Sequence, residues 1–174
     1  LLGGKFNFGF GIKHGWRPLG KPHTITKSEG NIVYEIDGKP AINLYEDYFT
    51  SNLSRWQKEI KRISILYPIG LYLEGEEEYL LRNILSIESN GSLRLQDSVP
   101  EGSIMRLMIG TKESCLTATR QAVDDAKKAL FGLGTITNTE KMGARNFVLV
   151  FDSVSRYMLL RKDAARELEI IKEG

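Results

Sequence analysis

A run of turn signals between residues 14 and 49 limits the folds that this chain can adopt. The Gly-Trp-Arg-Pro segment at 15–18 predicts a sharp turn of the backbone. Apolar alternation on both sides of Ser-Glu-Gly predicts a β-hairpin over 24–36. Asp-Gly at 37–38 signals another turn, and apolar residues at helical spacing predict a short helix over 40–49 that begins at its proline.

Two apolar segments outside this stretch predict further strands. Residues 5–13 alternate strictly, with aromatic or aliphatic side chains on one face and Gly9 and Gly11 on the other. A glycine-backed face permits close approach of a ligand or a helix, and packing against a helix is the interpretation that we favour. The unbroken apolar run at 147–151 predicts a central strand covered on both faces.

The remaining periodicity completes an α+β pattern. It predicts helices over 53–62, from Thr111 to about residue 130, and over 163–173 with Asp163 as the cap. It predicts strands over 64–67, 80–88, 92–96 and 103–109, and a loop over 135–145. Asn90-Gly91 is a strong hairpin signal. We therefore expect a mostly antiparallel sheet with helices packed on at least one face.

Composition narrows the class of protein. A chain of 174 residues is long enough for one domain with a hydrophobic core, and a net charge of +2 gives no reason to expect nucleic acid. One cysteine cannot form an internal disulfide, which fits a reducing, cytoplasmic setting. Two histidines and one cysteine make a structural zinc site improbable, so we expect no metal. The sequence shows neither a membrane span nor a signal peptide.

Several motifs resemble those of the FIST domain, a sensory input module of signalling proteins. They are Gly-Trp-x-Pro-x-Gly at 15–20, Asp-Gly-Lys-Pro-Ala at 37–41, Pro-Glu-Gly at 100–102 after a Leu-Arg pair at 81–82, and Phe151 with Arg156. By this resemblance, residues 1–38 are the end of an N-terminal FIST half and residues 39–174 the C-terminal half. The chain starts without Met, so we expect a fragment of a longer protein in which the ligand pocket could lie between the halves.

The resemblance implies an intracellular sensory domain that binds a small ligand, such as an amino acid or a similar anion. It also implies an output partner: a histidine kinase of a two-component system, a cyclic-dinucleotide enzyme, a chemotaxis receptor or an F-box. The family usually has cysteine where this chain has Ser153, and Asp152 replaces a small polar residue, so a role that needs a thiol is in doubt.

The ligand-binding candidates form three groups. Ser153, Ser155 and Arg156 follow the predicted strand at 147–151, where unpaired backbone N–H groups at a helix start, hydroxyls and a guanidinium favour an anion. The alternative is that Ser153 only caps the helix and Arg156 pairs with Asp152 or another acidic neighbour.

The second group is His14 and Trp16, which flank a glycine turn and could line a pocket or form a packed corner. The third is Arg82, which lies within a predicted strand and could equally form a cross-strand ion pair.

Three other functions remain open at this point. The chain could be a protein-interaction scaffold without a ligand. It could be a haem-binding gas sensor with His14 or His23 as axial ligand, although their spacing does not support it. It could be a hydrolase with Ser153 as nucleophile, but the elbow glycines are replaced by Phe151 and Ser155. We therefore expect no enzyme activity and no cofactor.

Overall fold

The computed structural model describes residues 7–49, 53–131 and 147–173. The chain forms two compact units: one combines residues 1–15 with 112–174, and the other is the continuous stretch 16–111. Antiparallel strands and helices make this an α+β protein, as the sequence predicts. The predicted loop over 135–145 lies outside the described residues.

The unit formed by residues 16–111 holds the whole sheet. Its strands are β1 (Arg17–Glu29), β2 (Ile32–Ile36), β3 (Lys39–Pro40), β4 (Ile69–Leu71), β5 (Leu80–Arg82), β6 (Ile84–Ile87), β7 (Leu93–Leu95) and β8 (Ile104–Ile109). Its helices are α1 (Asn43–Tyr48) and α2 (Leu53–Leu66). The other unit holds α3 (Lys112–Phe131), α4 (Val154–Leu160), a 3₁₀ turn (Arg161–Asp163) and α5 (Ala164–Glu173).

The strand order shows that the sheet rolls up. Neighbouring strands are β5-β4-β8-β1-β2-β7-β6, all antiparallel, with β3 paired to β2. Strands β5 and β6 stand at opposite ends of this order, yet only Asn83 separates them in sequence. Two peptide steps span about 7.6 Å at most, so the two ends of the sheet must come together there.

The predicted hairpin over 24–36 is confirmed by the pairing of β1 with β2. Asp37, in the turn after β2, stabilises the open end of this hairpin. One of its carboxylate oxygens accepts the Thr24 N–H at 2.8 Å, and the other lies 2.7 Å from His23 Nδ1. Burial would raise the pKa of Asp37, but the Thr24 hydrogen bond and the neighbouring His23 and Lys21 lower it overall. The imidazole of His23 thus helps to stabilise the hairpin.

The first helix begins later than predicted. Pro40 pairs with Glu35 as part of β3, and the helix begins at Asn43. The predicted apolar face survives, because Ala41, Leu44 and Tyr45 are buried and Tyr48 and Phe49 pack against the core. Strand pairing therefore takes precedence over the preference of proline for a first helical position.

The second helix continues one turn beyond the predicted end. It includes Ser64 and ends at Leu66, so the predicted strand over 64–67 is wrong. Ser64 is fully buried, and its hydroxyl accepts the Ile84 N–H at 2.5 Å, which joins α2 to β6. A buried helical serine needs such a partner, and a sequence cannot reveal a partner twenty positions away.

The core of this unit lies between the rolled sheet and the two helices. Fully buried Tyr45 donates its hydroxyl to the Tyr67 carbonyl at 2.6 Å, and burial raises the pKa of this phenol. The largest side chains of the cluster that are almost completely buried are Ile25, Tyr45, Ile60, Ile69, Ile84, Leu93, Leu95, Met105 and Leu107. Tyr45 and Ile60 come from the two helices, and the others come from β1, β4, β6, β7 and β8, so burial of this cluster depends on the curvature of the sheet.

In the other unit, two predicted strands are wrong. Residues 7–13 and 147–151 form neither helix nor strand ladder with any described residue. The five residues at 147–151, predicted to be covered on both faces, are each more than half exposed. A strand exists only through its partners, and the periodicity of a segment does not state whether a partner is present.

The glycine face of residues 7–13 does pack against a helix, as we favoured. A Cβ placed on Gly9 would lie 1.9 Å from the Ala126 carbonyl oxygen, and one on Gly11 would lie 1.9 Å from that of Ala122. Only glycine permits the α3 backbone to come so close. Phe8, Phe10 and Ile12 alternate with these glycines and are exposed.

The buried face of the last helix differs from the predicted one. Asp163 lies in the 3₁₀ turn that precedes α5, where its carboxylate contacts Lys112 Nζ at 2.6 Å. Leu168, predicted on the apolar face, is 55% exposed, whereas the neighbouring Glu167 is buried. The reason is an ion pair that the helical periodicity of apolar residues does not report.

Two glycines test how tightly β1 packs against α1 at the point where its pairing with β8 is irregular, between Leu19 and His23. Gly20 and Gly30 both have positive φ, but a Cβ on Gly20 would lie 1.7 Å from Tyr48 Oη, whereas one on Gly30 would meet nothing within 4 Å. We expect Gly30→Ala to cost about 1–2 kcal/mol through backbone strain alone. Gly20→Ala should cost about 1–3 kcal/mol more through overpacking.

Urea denaturation of both variants measures the difference in the free energy of unfolding. Equal losses would mean that Tyr48 moves aside without cost.

Candidate functional site

The guanidinium of Arg156 is the centre of a buried polar cluster in the unit formed by the two ends of the chain. Arg156 lies in the first turn of α4 and is 6% exposed. Its Nη1 donates to the His14 carbonyl at 2.7 Å and the Lys13 carbonyl at 3.5 Å. Its Nη2 donates to the Cys115 carbonyl at 2.6 Å and to Thr119 Oγ1.

The fifth N–H of this side chain completes an ion pair with α5. Arg156 Nε donates to Glu167 Oε1 at 2.6 Å, and both side chains are about nine-tenths buried. Thr119 Oγ1 also lies 2.8 Å from that carboxylate oxygen. Because arginine has five N–H donors, every donor of Arg156 has a protein acceptor in this conformation. One guanidinium therefore joins residues 13–14, α3, α4 and α5.

The start of α4 shows how this arginine is positioned. Ser153 is the N-cap, and its hydroxyl accepts the Ser155 N–H at 3.2 Å. Asp152 lies one residue earlier, with a carboxylate oxygen 3.7 Å from Arg156 Nε. Partial burial and the charge of Glu167 raise the pKa of Asp152. This arrangement of cap and ion pair is the alternative left open for the first candidate group.

Beside the cluster lies the single cysteine of the chain. Cys115 is fully buried in α3, and burial raises the pKa of its thiol to about 11. The thiolate is the reactive form of cysteine, so at neutral pH this side chain is chemically inert. It contributes to the cluster its backbone carbonyl, which accepts from Arg156, and its Sγ, which lies 3.9 Å from the His14 carbonyl oxygen.

The other candidates lie in two places. His14 is in the same unit as Arg156 and contacts it through its backbone carbonyl. Trp16 and Arg82 belong to the unit of residues 16–111. Buried Trp16 donates its indole N–H to the Ile65 carbonyl at 3.0 Å, and Arg82 Nη2 lies 3.3 Å from Asp97 Oδ2. Each thus has a partner within its own unit.

Glu167 and Thr119 are parts of the cluster that the sequence did not indicate. Both lie on helices whose apolar periodicity predicts only packing, and a glutamate on a terminal helix is ordinarily exposed. Arg156 is the available signal, since the alternative for this residue already pairs it with an acidic neighbour. Among the described residues, no three His, Cys, Asp or Glu side chains converge as metal ligands would.

Comparison with known families agrees with the motifs at 15–20 and 37–41. The model of the FIST C domain matches residues 41–174, and that of the FIST N domain matches residues 1–39. The chain belongs to the FIST family. FIST domains are sensory domains of signal-transduction proteins, so the expected family and its general role are confirmed.

The curated relatives of this FIST chain are uncharacterized proteins. One from Methanocaldococcus jannaschii is 27% identical over 139 residues, which is 74% of this chain and 26% of that protein. One from Mycobacterium tuberculosis is 22% identical over 125 residues, covering 70% and 33%, and one from Mycobacterium bovis is 24% identical over 121 residues, covering 64% and 31%.

The chain thus spans about a third or less of these relatives. No solved structure matches it. None of the described helices is both long and apolar enough to cross a membrane.

Two arginines of this FIST chain test the cluster. Arg156→Met leaves the Glu167 carboxylate buried without its charged partner, which should cost about 3–5 kcal/mol of unfolding free energy. Arg166→Met is the matched control, since Arg166 is 62% exposed and lies 3.8 Å from Asp163. It should cost less than about 0.5 kcal/mol. Urea denaturation of both variants checks this, and similar losses would contradict the central role of Arg156.

Proposed function

We propose that this chain belongs to a cytoplasmic sensory domain that binds a small anion, such as an amino acid, and passes the signal to an output module. The observation that carries the proposal is the buried Arg156–Glu167 ion pair. It connects the turn at 152–156, which contains three of the predicted ligand contacts, directly to the C-terminal helix α5. Membership of a sensory family supports the general role.

Ligand binding at Arg156 would require an exchange of partners. All five of its donors are occupied, so a ligand carboxylate has to replace an acceptor that is already present. Glu167 is the acceptor of the same chemical type, and bidentate arginine–carboxylate pairs are among the strongest polar contacts. In our proposal the ligand takes the place of Glu167.

Such an exchange gives the domain two states. With Glu167 on Arg156, α5 is held against α3 and α4; with the ligand on Arg156, that restraint is absent. A ligand moves such an equilibrium only by its differential affinity for the two states. Here the differential contact is the guanidinium itself, which pairs with one carboxylate or the other.

The remaining candidates have supporting roles in this proposal. The hydroxyls of Ser153 and Ser155 and the imidazole of His14 lie on segments that Arg156 joins, and we propose them as further ligand contacts. Trp16 and Arg82 stay predicted ligand contacts only. Each already has a partner inside the unit of residues 16–111, the Ile65 carbonyl for Trp16 and Asp97 for Arg82. The output module that responds to the release of α5 would be a histidine kinase, a cyclic-dinucleotide enzyme, a chemotaxis receptor or an F-box.

A pair of substitutions tests the exchange of partners. A thermal-shift screen of amino acids and small carboxylates first identifies a ligand, which at 100 times its Kd should stabilise the protein by about 2.7 kcal/mol. Arg156→Lys should then weaken binding, because lysine cannot form the bidentate pair. Glu167→Gln should strengthen binding, because the competing charge is removed.

Calorimetric titration of both variants against the unsubstituted chain measures these changes. Unchanged affinity in Arg156→Lys, with stability retained, would refute direct contact. Weaker binding in Glu167→Gln would refute the exchange, because the two carboxylates would then not compete.

Hydrogen exchange tests the transmission to α5. If a ligand releases Glu167, the backbone amides of residues 163–173 should exchange faster in its presence. Residues 24–36 in the other unit serve as the control and should not change. Slower or unchanged exchange over 163–173 with a bound ligand would mean that the signal does not pass through this helix.

A further inference from the structure

We propose that residues 147–151 form a self-complementary interface, at which two copies of this chain pair as antiparallel strands across a two-fold axis through Leu149. The five side chains are Phe, Val, Leu, Val and Phe, exposed by 67%, 71%, 62%, 51% and 94%. Soluble proteins rarely expose a contiguous apolar patch of this kind unless it is an interaction site.

The order of these five residues favours a second copy as the partner. The sequence Phe-Val-Leu-Val-Phe reads the same in both directions. In an antiparallel pair centred on Leu149, Phe147 faces Phe151 of the other copy, Val148 faces Val150, and Leu149 faces itself. A two-fold interface requires this kind of self-complementarity, because the same patch serves both subunits.

The backbone of the segment is suited to such pairing. Residues 147–151 form no ladder with any described residue, so pairing would supply the hydrogen bonds that a strand requires. The segment contains β-branched and aromatic residues, and no charge, glycine or proline that would oppose strand addition. Each strand would thus hydrogen-bond the backbone of the other and cover its apolar side chains.

A second exposed apolar segment enlarges the candidate interface. Phe8, Phe10 and Ile12 are exposed by 64%, 68% and 74% on the side opposite the glycines that contact α3. Arg156 connects the two segments, since it follows residues 147–151 and bonds the carbonyls of Lys13 and His14.

The available area is adequate for a dimer. At 150–250 Å² for each aromatic side chain, the four exposed phenylalanines offer on the order of 600 Å². A standard interface uses about 800 Å² on each partner, and the aliphatic side chains supply the remainder. Such a face is therefore large enough for a specific dimer.

Charged residues introduced at Leu149 test whether the two-fold axis of the dimer passes through this position. Sedimentation equilibrium of the 174-residue chain should show a monomer–dimer equilibrium. Leu149→Asp and Leu149→Arg should each raise the dimer dissociation constant at least about 100-fold, because like charges would meet at the axis in a buried site. An equimolar mixture of the two variants should recover the dimer.

Leu85→Asp is the matched control, since Leu85 is a 42% exposed leucine in β6 of the other unit, and it should leave the dimer unchanged.

Single cysteines test the register without introducing charge. Directly opposed residues of antiparallel strands have Cα atoms about 4.5–5.5 Å apart, which is within disulfide range. Leu149→Cys should therefore form a disulfide-linked dimer under mild oxidation, whereas Phe147→Cys should not, because it faces Phe151. The unsubstituted chain should remain unlinked, since Cys115 is buried.

Three results would overturn the proposal. They are a monomer at all concentrations, equal cross-linking of both cysteine variants, and association that the mixed charge variants do not recover. A monomer at all concentrations would indicate that the apolar face is covered by additional chain, such as the longer relatives have. The other two would indicate non-specific aggregation.

Discussion

The buried guanidinium of Arg156 is the interaction on which the unit formed by the chain's two ends depends. This unit has no sheet among its described residues, and its helices α4 and α5 are short. A charge in a region of low dielectric is stable only if it is paired and fully hydrogen-bonded, and here residues from both ends of the chain supply those partners. Specific polar contacts thus hold together segments that expose much apolar surface.

Features set by neighbouring residues could be predicted from the sequence. The hairpin of β1 and β2, the Asn90-Gly91 turn and the strand β8 follow from turn chemistry and alternation within short windows. The family could also be recognised, because its motifs are local. The same reasoning offers Ser153 as a helix cap, as the alternative to a ligand contact, since capping involves residues two or three positions apart.

Features that depend on distant partners could not be predicted. The strand predicted at 147–151 has the right composition but no paired neighbour among the described residues. Residues 64–67 are predicted to form a strand, but Ser64 lies in α2, and its hydrogen-bond partner, the Ile84 N–H, is far along the chain. Glu167 is not among the predicted site residues, because the arginine with which it is buried lies on another helix. Sequence periodicity describes one element at a time, whereas burial of a polar group is a property of two.

The division of the chain into two units has a consequence for the order of folding. Residues 16–111 are continuous, so all the partners of their sheet, including β1 and β8, are present once residue 109 has been synthesised. The other unit is discontinuous, and residues 7–15 must wait for α3, which begins at Lys112, and for α4, which begins at Val154. Closing so long a loop is entropically costly and slow. During synthesis residues 7–13 therefore lack the α3 backbone that Gly9 and Gly11 contact, and this is the interval in which chaperones would be needed most.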